Sequence, residues 1–350
     1  MEKALDAALV WFRRDLRVAD HAALYHALKA ARQVWCAFVY DRAILDELPR
    51  ADRRVEFIVQ SIDALAADLS RLGERCGVAG VRLLVRHGIG ADEIVALAAE
   101  LHVQAVFANH DDDPFALARD ARTRGALADR GVALHTSKDH VVFERSEVLT
   151  LSGKPYSVFT PYRNAWLGKL DDYFLKPYAV ERHAAALAPT PAGIDTALPG
   201  LARLGFVKTN LESLKVQGGS ASAEALLADF LARIDEYATA REYPAVKGPS
   251  YLGVHLRFGT ISIRRLAGAA RRRGSRSWCG ATSTSRCCIT SHTSSARAAS
   301  PSSTASSSST AATPTKSSRP GARDARAIRW STRRWRRSTR PAGCTTGCAW

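Results

Sequence analysis

The amino-acid composition of this chain changes abruptly at Arg272. From Arg272 to Trp350 the sequence contains no Leu, Val, Phe, Tyr or Glu, and Ser, Thr, Ala and Arg dominate it. A folded core needs large apolar side chains, so this stretch cannot build one and is expected to be disordered. Residues 1–271 alternate apolar runs, helical periods and turn residues, and only they can be interpreted as a folded structure.

The charge changes at the same place. The formal net charge of +16 is, taken alone, typical of a nucleic-acid-binding protein. Residues 272–350 contain 14 Arg, one Lys and one Asp and carry +14, whereas residues 1–271 carry only +2. The overall charge therefore gives no argument for DNA binding by the folded part.

The cysteine and hydropathy patterns point to a cytoplasmic protein. Residues 1–271 contain two scattered thiols, Cys36 and Cys76, which indicates a reduced protein without a disulfide framework. The cysteines beyond Arg272 lack the spacing of a zinc site, so no metal is expected. Arg13 interrupts the first apolar stretch before it reaches signal-peptide length, and no run approaches the roughly 20 apolar residues of a membrane helix.

Alternating apolar runs and helical periods predict an α/β fold in the first part of the chain. Four short apolar runs predict buried strands, at residues 7–12, 33–40, 82–86 and 104–108. The helical periods lie between and after them, at about 20–31, 52–73, 91–101 and 114–130. This order predicts a doubly wound parallel sheet with helices on both faces, and Asp20 is the expected N-cap of the first helix.

Ligands of such sheets bind at the carboxyl ends of the strands. The candidate edge therefore contains Trp11–Arg17, Asn109–Asp113 and the loop after Arg86.

The remaining segments predict the domain organisation. Residues 1–135 form the sheet domain, and the proline-rich residues 136–205 form a long, partly extended connector. Residues 206–271 begin an all-helical domain, with one helix at 221–237 and another starting near Ser262. Residues 272–350 form the low-complexity tail.

Four segments carry a family resemblance. The first is Leu9–Arg17, followed by Asp20 and His21, and the second is Val158–Trp166 in the connector. The third starts at Gly218-Gly219 and ends at Tyr237, with Arg241 after it. The fourth is Gly248–Ser262, which is similar to the pattern G-T-S-x-L-S-x-x-L-x-F-G-x-x-S. In this order and spacing they resemble the DNA photolyase/cryptochrome family, specifically its cyclobutane pyrimidine dimer photolyases.

The resemblance implies an FAD site in the helical domain. The residues that would contact FAD are Tyr237, Pro249, Ser250, Tyr251, Leu252 and Gly253, and Arg241 would lie near the DNA strand. Pro249 and Gly253 depart from the pattern, because each replaces a hydroxyl residue. Phosphate binding would then depend on Ser250 and on backbone N–H groups of the turn. The alternative for this segment is an ordinary turn at the start of a helix.

The resemblance also implies a light-harvesting pigment in the sheet domain, of folate type or deazaflavin type. Asn109 and Asp113 resemble part of a folate-type antenna site, whereas Ser157 stands where some relatives have Lys. Alternatively, residues 111–113 are a solvated acidic loop that caps the helix from Pro114. The first segment contains three arginines, Arg13, Arg14 and Arg17. They could contact a pigment, orient the connector or be solvated.

A change of reading frame accounts for the tail. If the gene lost one base or gained two near codons 266–273, each intended codon would join the third base of one visible codon to the first two bases of the next. In that frame Arg272–His292 permits TWLSELVWRDFYFQMLHHFP, and Arg329–Trp350 permits LVDAAMAQINQTGWMHNRLRM. Both strings resemble flavin-pocket regions of the family, in the family's order. The competing interpretation is a genuine Ser/Arg-rich tail that binds nucleic acid through phosphates.

The resemblance implies light-dependent repair of pyrimidine dimers in DNA by electron transfer from reduced FAD, in a monomeric protein that needs no membrane. A damaged base step is flipped out of the duplex at a cost of about a few kcal/mol. The chain as written is expected to be incomplete and inactive. Two alternatives stay open: a cryptochrome-like blue-light photoreceptor and a non-catalytic remnant domain.

Overall fold

The structure, a computed structural model, describes residues 3–144, 146–243 and 245–274. Five strands form one sheet: β1 (Leu5–Phe12), β2 (Ala31–Asp41), β3 (Leu83–Gly88), β4 (Ala105–Asn109) and β5 (Ala133–Ser137). All neighbours are parallel, in the order β3-β2-β1-β4-β5. The predicted doubly wound parallel sheet is confirmed, and β5 is an edge strand that the apolar pattern did not predict.

Ten α-helices lie in the described part of the chain. Those of the sheet region are α1 (Ala22–Ala30), α2 (Arg42–Leu45), α3 (Arg53–Arg75), α4 (Gly90–Glu100) and α5 (Pro114–Ala128). The later helices are α6 (Phe159–Lys169), α7 (Ser220–Leu231), α8 (Tyr237–Ala240), α9 (Gly253–Arg257) and α10 (Ile263–Arg272). Short 3₁₀ segments occur at Val180–Ala186, Glu212–Leu214 and Ile234–Glu236.

Both faces of the sheet are covered, because alternate residues of a strand point to opposite faces. Val10 and Phe12 of β1 belong to a core with α1, α3 and the 3₁₀ segment Val180–Ala186. Leu9 and Trp11 of the same strand belong to a second core with α4 and α5. A strand buried on both faces explains the nearly continuous apolar run at the start of the sequence.

The first helix is capped by His21 and not by Asp20. The His21 ring Nδ1 accepts the N–H of Leu24, which satisfies one of the free donors of the first turn. The prediction that Asp20 is the N-cap is therefore wrong. Asp20 has a left-handed backbone (φ +52°), and its carboxylate binds donors from distant segments.

The connector contains a helix where the sequence predicted a partly extended chain. Helix α6 buries Tyr162 and Trp166, which are four residues apart and therefore lie on one helix face. The prolines that suggested an extended chain are largely outside the helix, and Pro161 occupies its first turn, where a missing N–H costs nothing. The connector then returns to the sheet, where Trp35 Nε1 donates to the Pro189 carbonyl at 3.0 Å.

The helices after residue 219 share a third core with the connector. The predicted helix 221–237 ends earlier, at Leu231, and a 3₁₀ segment and the short α8 follow it. The helix predicted near Ser262 is present as α10, and the Ser262 hydroxyl oxygen caps it by accepting the Arg264 N–H at 3.1 Å. Leu266 of α10, Phe230 of α7 and Trp166 of α6 are buried in this core.

No described helix is both long and apolar enough to cross a lipid bilayer. The interpretation of the tail concerns residues that, apart from 272–274, lie outside the described part of the chain.

Candidate functional site

The loop that follows β1 lies at the carboxyl edge of the sheet, and each of its three arginines has an acidic partner. The pairs are Arg13 with Asp120, Arg14 with Asp111 at 3.0 Å, and Arg17 with Asp139 at 2.6 Å. The side chains of Arg13 and Arg17 are buried. The alternative that these arginines are solvated is therefore wrong for Arg13 and Arg17. Arg17 instead orients the beginning of the connector through its ion pair with Asp139.

Asn109 lies at the end of β4 inside a buried network. Its Oδ1 accepts the Ala23 N–H at 2.9 Å, and its Nδ2 donates to Asp15 at 2.7 Å. The His21 Nε2 contacts the same Asp15 carboxylate at 3.0 Å. Burial alone would raise the pKa of Asp15, but His21 and the Arg13 backbone N–H hold the pKa below its usual range. Both polar ends of the Asn109 side chain are thus occupied by the protein itself.

Asp113, the other residue of the predicted antenna site, caps helix α5. Its Oδ1 accepts the Phe115 N–H at 3.0 Å, and Pro114 stands at the first helical position. Its neighbour Asp111 is buried and contacts Arg14. The antenna role of Asn109 and Asp113 stays a prediction, and each has a structural contact that a bound pigment would have to share.

Asp20 joins three parts of the chain. Its carboxylate accepts the Tyr178 N–H of the connector at 2.8 Å, the hydroxyl of Ser262, and the Arg264 Nε at 3.0 Å. Arg264 also contacts Asp139 at 2.8 Å. Because Asp20 follows β1, Tyr178 lies in the connector and Arg264 lies in α10, this carboxylate fixes the start of the helical part to the edge of the sheet.

We call Arg17, Asp20, Asp139, Ser262 and Arg264 the clamp. The Asp139 carboxylate lies between two guanidinium groups and is 1% exposed. Burial alone would raise the pKa of Asp139, but the adjacent Arg17 and Arg264 hold the pKa below its usual range. The clamp therefore contains two buried guanidinium groups and two carboxylates, an arrangement in which the removal of one partner is strongly destabilising.

The same loop also contacts the end of helix α9. The Leu16 N–H donates to the Phe258 carbonyl at 3.1 Å, and the Arg17 guanidinium donates to the Gly259 carbonyl at 3.0 Å. These carbonyls follow the last turn of α9 and would otherwise lack donors. Gly259 has φ +63°, and a Cβ there would lie 2.5 Å from the Asp15 Cα and closer still to the Arg14 carbonyl. Only glycine permits this approach of the two backbones.

The predicted FAD and DNA residues before the turn lie on and next to α8. The ring of Tyr237 packs edge-on against Phe230, with centroids 5.6 Å apart. The Arg241 guanidinium lies over the outer face of the Tyr237 ring at 5.7 Å and contacts Glu242 at 3.0 Å. Gly248 approaches the end of this helix so closely that a Cβ would lie 2.6 Å from the Ala240 carbonyl carbon. The third and fourth sequence segments thus meet in space.

The turn that precedes α9 contains backbone N–H groups that are available to bind an anion. Among the described residues, the backbone N–H groups of Ser250 and Tyr251 form no hydrogen bond. Tyr251 has φ +57° and the following Leu252 is right-handed, a sequence of conformations that creates anion-binding concavities. The Ser250 hydroxyl is buried and accepts the Leu252 N–H at 3.4 Å. Leu252 points its side chain into the core, so it could contact a ligand only through its backbone.

Pro249 and Gly253 flank this turn and are partly buried. The residues present therefore fit the diphosphate part of a flavin dinucleotide through backbone donors.

Arg233 is a supporting residue that sequence reasoning missed. Its guanidinium donates to the Gly248 and Pro249 carbonyls, both at 2.9 Å, and to the Lys247 carbonyl at 2.5 Å. These bonds turn the carbonyls toward the end of α7 and so leave the N–H side of the turn free. The spacing of 15 residues between Arg233 and Gly248 matches no local motif, so the sequence carries no signal for this contact.

Comparison with known proteins identifies the family to which the chain belongs. The family model for DNA photolyase matches residues 8–186, which include nearly all of the sheet, the clamp aspartates and most of the connector. The chain belongs to the DNA photolyase family.

Two relatives have sequences similar to this chain. It is 37% identical over 275 residues to a deoxyribodipyrimidine photo-lyase of Halobacterium salinarum, covering 75% of this chain and 54% of the relative. It is 24% identical over 274 residues to Cryptochrome-1 of Spalax judaei, covering 73% of this chain and 44% of the relative. The chain thus spans about half the length of the photolyase and cryptochrome that it matches.

The fold is similar to a bacterial class III photolyase from Agrobacterium tumefaciens, with a TM-score of 0.68 and 23% identity. That match covers 83% of this chain and 59% of the crystallised protein.

Proposed function

We propose that this chain is the first part of a light-dependent DNA repair enzyme that splits cyclobutane pyrimidine dimers. The observation that carries the proposal is its greater identity to the relative named deoxyribodipyrimidine photo-lyase than to the one named Cryptochrome-1. The proposed substrate is damaged DNA, and the proposed cofactor is FAD. When bound and reduced, FAD would supply the electron that opens the cyclobutane ring under light.

The residues of this chain have separate proposed roles. The turn of Pro249, Ser250, Tyr251, Leu252 and Gly253 would hold the FAD diphosphate through backbone N–H groups. Its conformation is kept by Arg233, whose guanidinium donates to the Gly248 and Pro249 carbonyls.

Tyr237 would line the same site, and Arg241 would contact a DNA phosphate beside it. Arg241 is exposed, and its contact with Glu242 is exposed and weak, so a phosphate could compete for the guanidinium.

We propose further that the chain as written neither binds FAD tightly nor repairs DNA. The chain spans about half the length of its photolyase relative, and the residues after 271 contain no Leu, Val, Phe or Tyr. In the shifted frame the tail regains those types. The domain boundaries at residues 135, 205 and 271 belong to the same proposal.

The test compares the chain as written with a version restored to the shifted frame. We expect stoichiometric flavin absorbance and light-dependent loss of dimers only in the restored protein. Sequencing across codons 260–280 in independent reads tests the frame itself. Tight FAD binding and dimer reversal by the chain as written would refute the proposal of an inactive fragment.

A photoreceptor of the cryptochrome type is the second candidate, because a cryptochrome is also among the matches. The restored protein would then bind flavin and leave dimer-containing DNA unchanged under light. A remnant domain without catalysis would bind no flavin in either form. The same two measurements, flavin content and dimer loss, therefore separate the three functions.

A further inference from the structure

A cavity of about 600 Å³ lies between helix α10 and residues 172–177 of the connector. This volume is within the range of sites that bind small molecules. Arg264, Gly268 and Arg271 face the cavity, and their spacing places them along one side of the helix. The opposite side of α10, with Leu266 and Ala270, is buried in the third core. The helix thus separates an apolar core from a basic cavity.

Two cations that line this cavity have no acidic partner among the residues that the structure describes. Three of the lining arginines form ion pairs: Arg264 with Asp20 and Asp139, Arg265 with Glu224, and Arg271 with Asp172. The Asp139 carboxylate is shared with Arg17, so the clamp is neutral as a group. Lys176 and Arg272 contact no carboxylate in the described part of the chain. The end of α10 contributes about half a negative charge, which does not cancel two positive ones.

Gly268 makes room for a ligand in the middle of the cavity wall. A Cβ at this position would meet only the Arg272 Nη1, at 3.5 Å. Glycine inside a helix costs about 0.5–1 kcal/mol relative to alanine, so its presence here needs a reason other than helix stability. The space it leaves is beside the unpaired guanidinium of Arg272.

We propose that this cavity binds a small molecule through a dianionic phosphate, as in a phosphate monoester or a nucleoside monophosphate. Two uncompensated cations match the roughly two negative charges of a phosphate monoester, and a guanidinium can bind its oxygens in a bidentate manner. A phosphodiester carries one charge and matches the site less well. This site is separate from the turn proposed for FAD and does not depend on that proposal.

Thermal unfolding of the full chain with adenosine monophosphate tests the proposal. At constant ionic strength, 10 mM ligand is expected to raise the Tm by about 3 °C if the Kd is about 1 mM. Arginines that are equally accessible in the folded and unfolded protein bind the ligand in both states and cause no such shift. Adenosine without phosphate is expected to cause no shift, and a dinucleotide with one phosphodiester a smaller one. Equal shifts with the nucleoside or the dinucleotide would overturn the phosphate assignment.

The decisive variants are Gly268→Glu and the control Gly125→Glu. Both replace a helical glycine that has space for a Cβ, and Gly125 lies in α5 with no atom within 4 Å of that position. Both are expected to fold, but only Gly268→Glu places a carboxylate in the cavity and abolishes the shift. Lys176→Met is expected to weaken binding roughly three- to fivefold, and it tests the site even if Gly268→Glu does not fold. An unchanged shift in Lys176→Met, or equal shifts in the two glutamate variants, would contradict the proposal.

Discussion

Replacement of Gly259 by alanine should loosen the contact between the loop after β1 and the end of α9. Its left-handed backbone costs a residue with a Cβ about 1–2 kcal/mol. The new Cβ would also lie 2.5 Å from the Asp15 Cα, so the two backbones must move apart. That movement weakens the bonds from Leu16 and Arg17 to the carbonyls of Phe258 and Gly259, at about 0.5–1.5 kcal/mol each. The expected loss in the free energy of unfolding is about 2–5 kcal/mol.

Urea unfolding followed by tryptophan fluorescence and far-UV circular dichroism measures this loss. The matched control is Gly131→Ala, because Gly131 has φ +71° and no atom lies within 4 Å of the position that a Cβ would take. The control should lose only the backbone cost of about 1–2 kcal/mol. The difference between the two variants is then the free energy of the contact. Equal destabilisation of Gly259→Ala and Gly131→Ala would refute the argument that the two backbones need this close approach.

Three further predictions concern single side chains. Asp20→Asn should lower the free energy of unfolding by about 2–3 kcal/mol, because Arg264 loses one of its two acidic partners. Urea unfolding measures this loss. The control is Asp195→Asn, at an exposed ion pair, which should lower the free energy of unfolding by less than about 0.5 kcal/mol. Burial lowers the pKa of His255 to about 4 in the folded chain. As the pH falls, the imidazole of His255 is therefore protonated in the unfolded chain before it is protonated in the folded chain. Stability should therefore drop by about 2–3 kcal/mol between about pH 6.5 and pH 4, and His255→Leu, in the same titration, should lose that part of the pH dependence. Asp113→Ala should cost about 1 kcal/mol through the lost cap of α5, and a change below the error of urea unfolding would show that the cap is not formed in solution.

The sheet could be predicted because its strands are buried on both faces. Runs such as Leu9–Phe12 are short and continuous in apolar residues, whereas the helical stretches carry apolar residues at a period of 3.6. Strand β5 was not predicted, because its sequence Ala-Leu-His-Thr-Ser lacks an apolar run. The strand lies at the edge of the sheet and is only partly buried, so it does not need one. Helix α6 was not predicted, because only Tyr162 and Trp166 form its buried face. The prolines of this segment indicated an extended chain instead.

The site could be predicted less well, since its contacts join residues far apart in sequence. The fourth segment identified a turn before a short helix, and the structure places free N–H groups there. The partners of Asp20 are 158, 242 and 244 residues away, so its local pattern as a helix cap was the only signal and led to the wrong role. Asn109 and Asp113 were chosen by resemblance, which gives a position in the fold but not the hydrogen bonds that occupy it.

The composition break also has a consequence for packing. Four apolar or aromatic side chains near the predicted FAD turn are 40–59% exposed: Tyr243, Val246, Tyr251 and Val254. Clustered exposed residues of this kind mark a surface that another part of a protein covers. Residues 275–350 of the chain as written contain no Leu, Val, Phe or Tyr. The shifted frame permits Trp, Leu, Val, Phe and Tyr in the first 20 codons after the break. The exposed side chains near the predicted FAD turn therefore support the frameshift hypothesis, which sequencing across codons 260–280 tests.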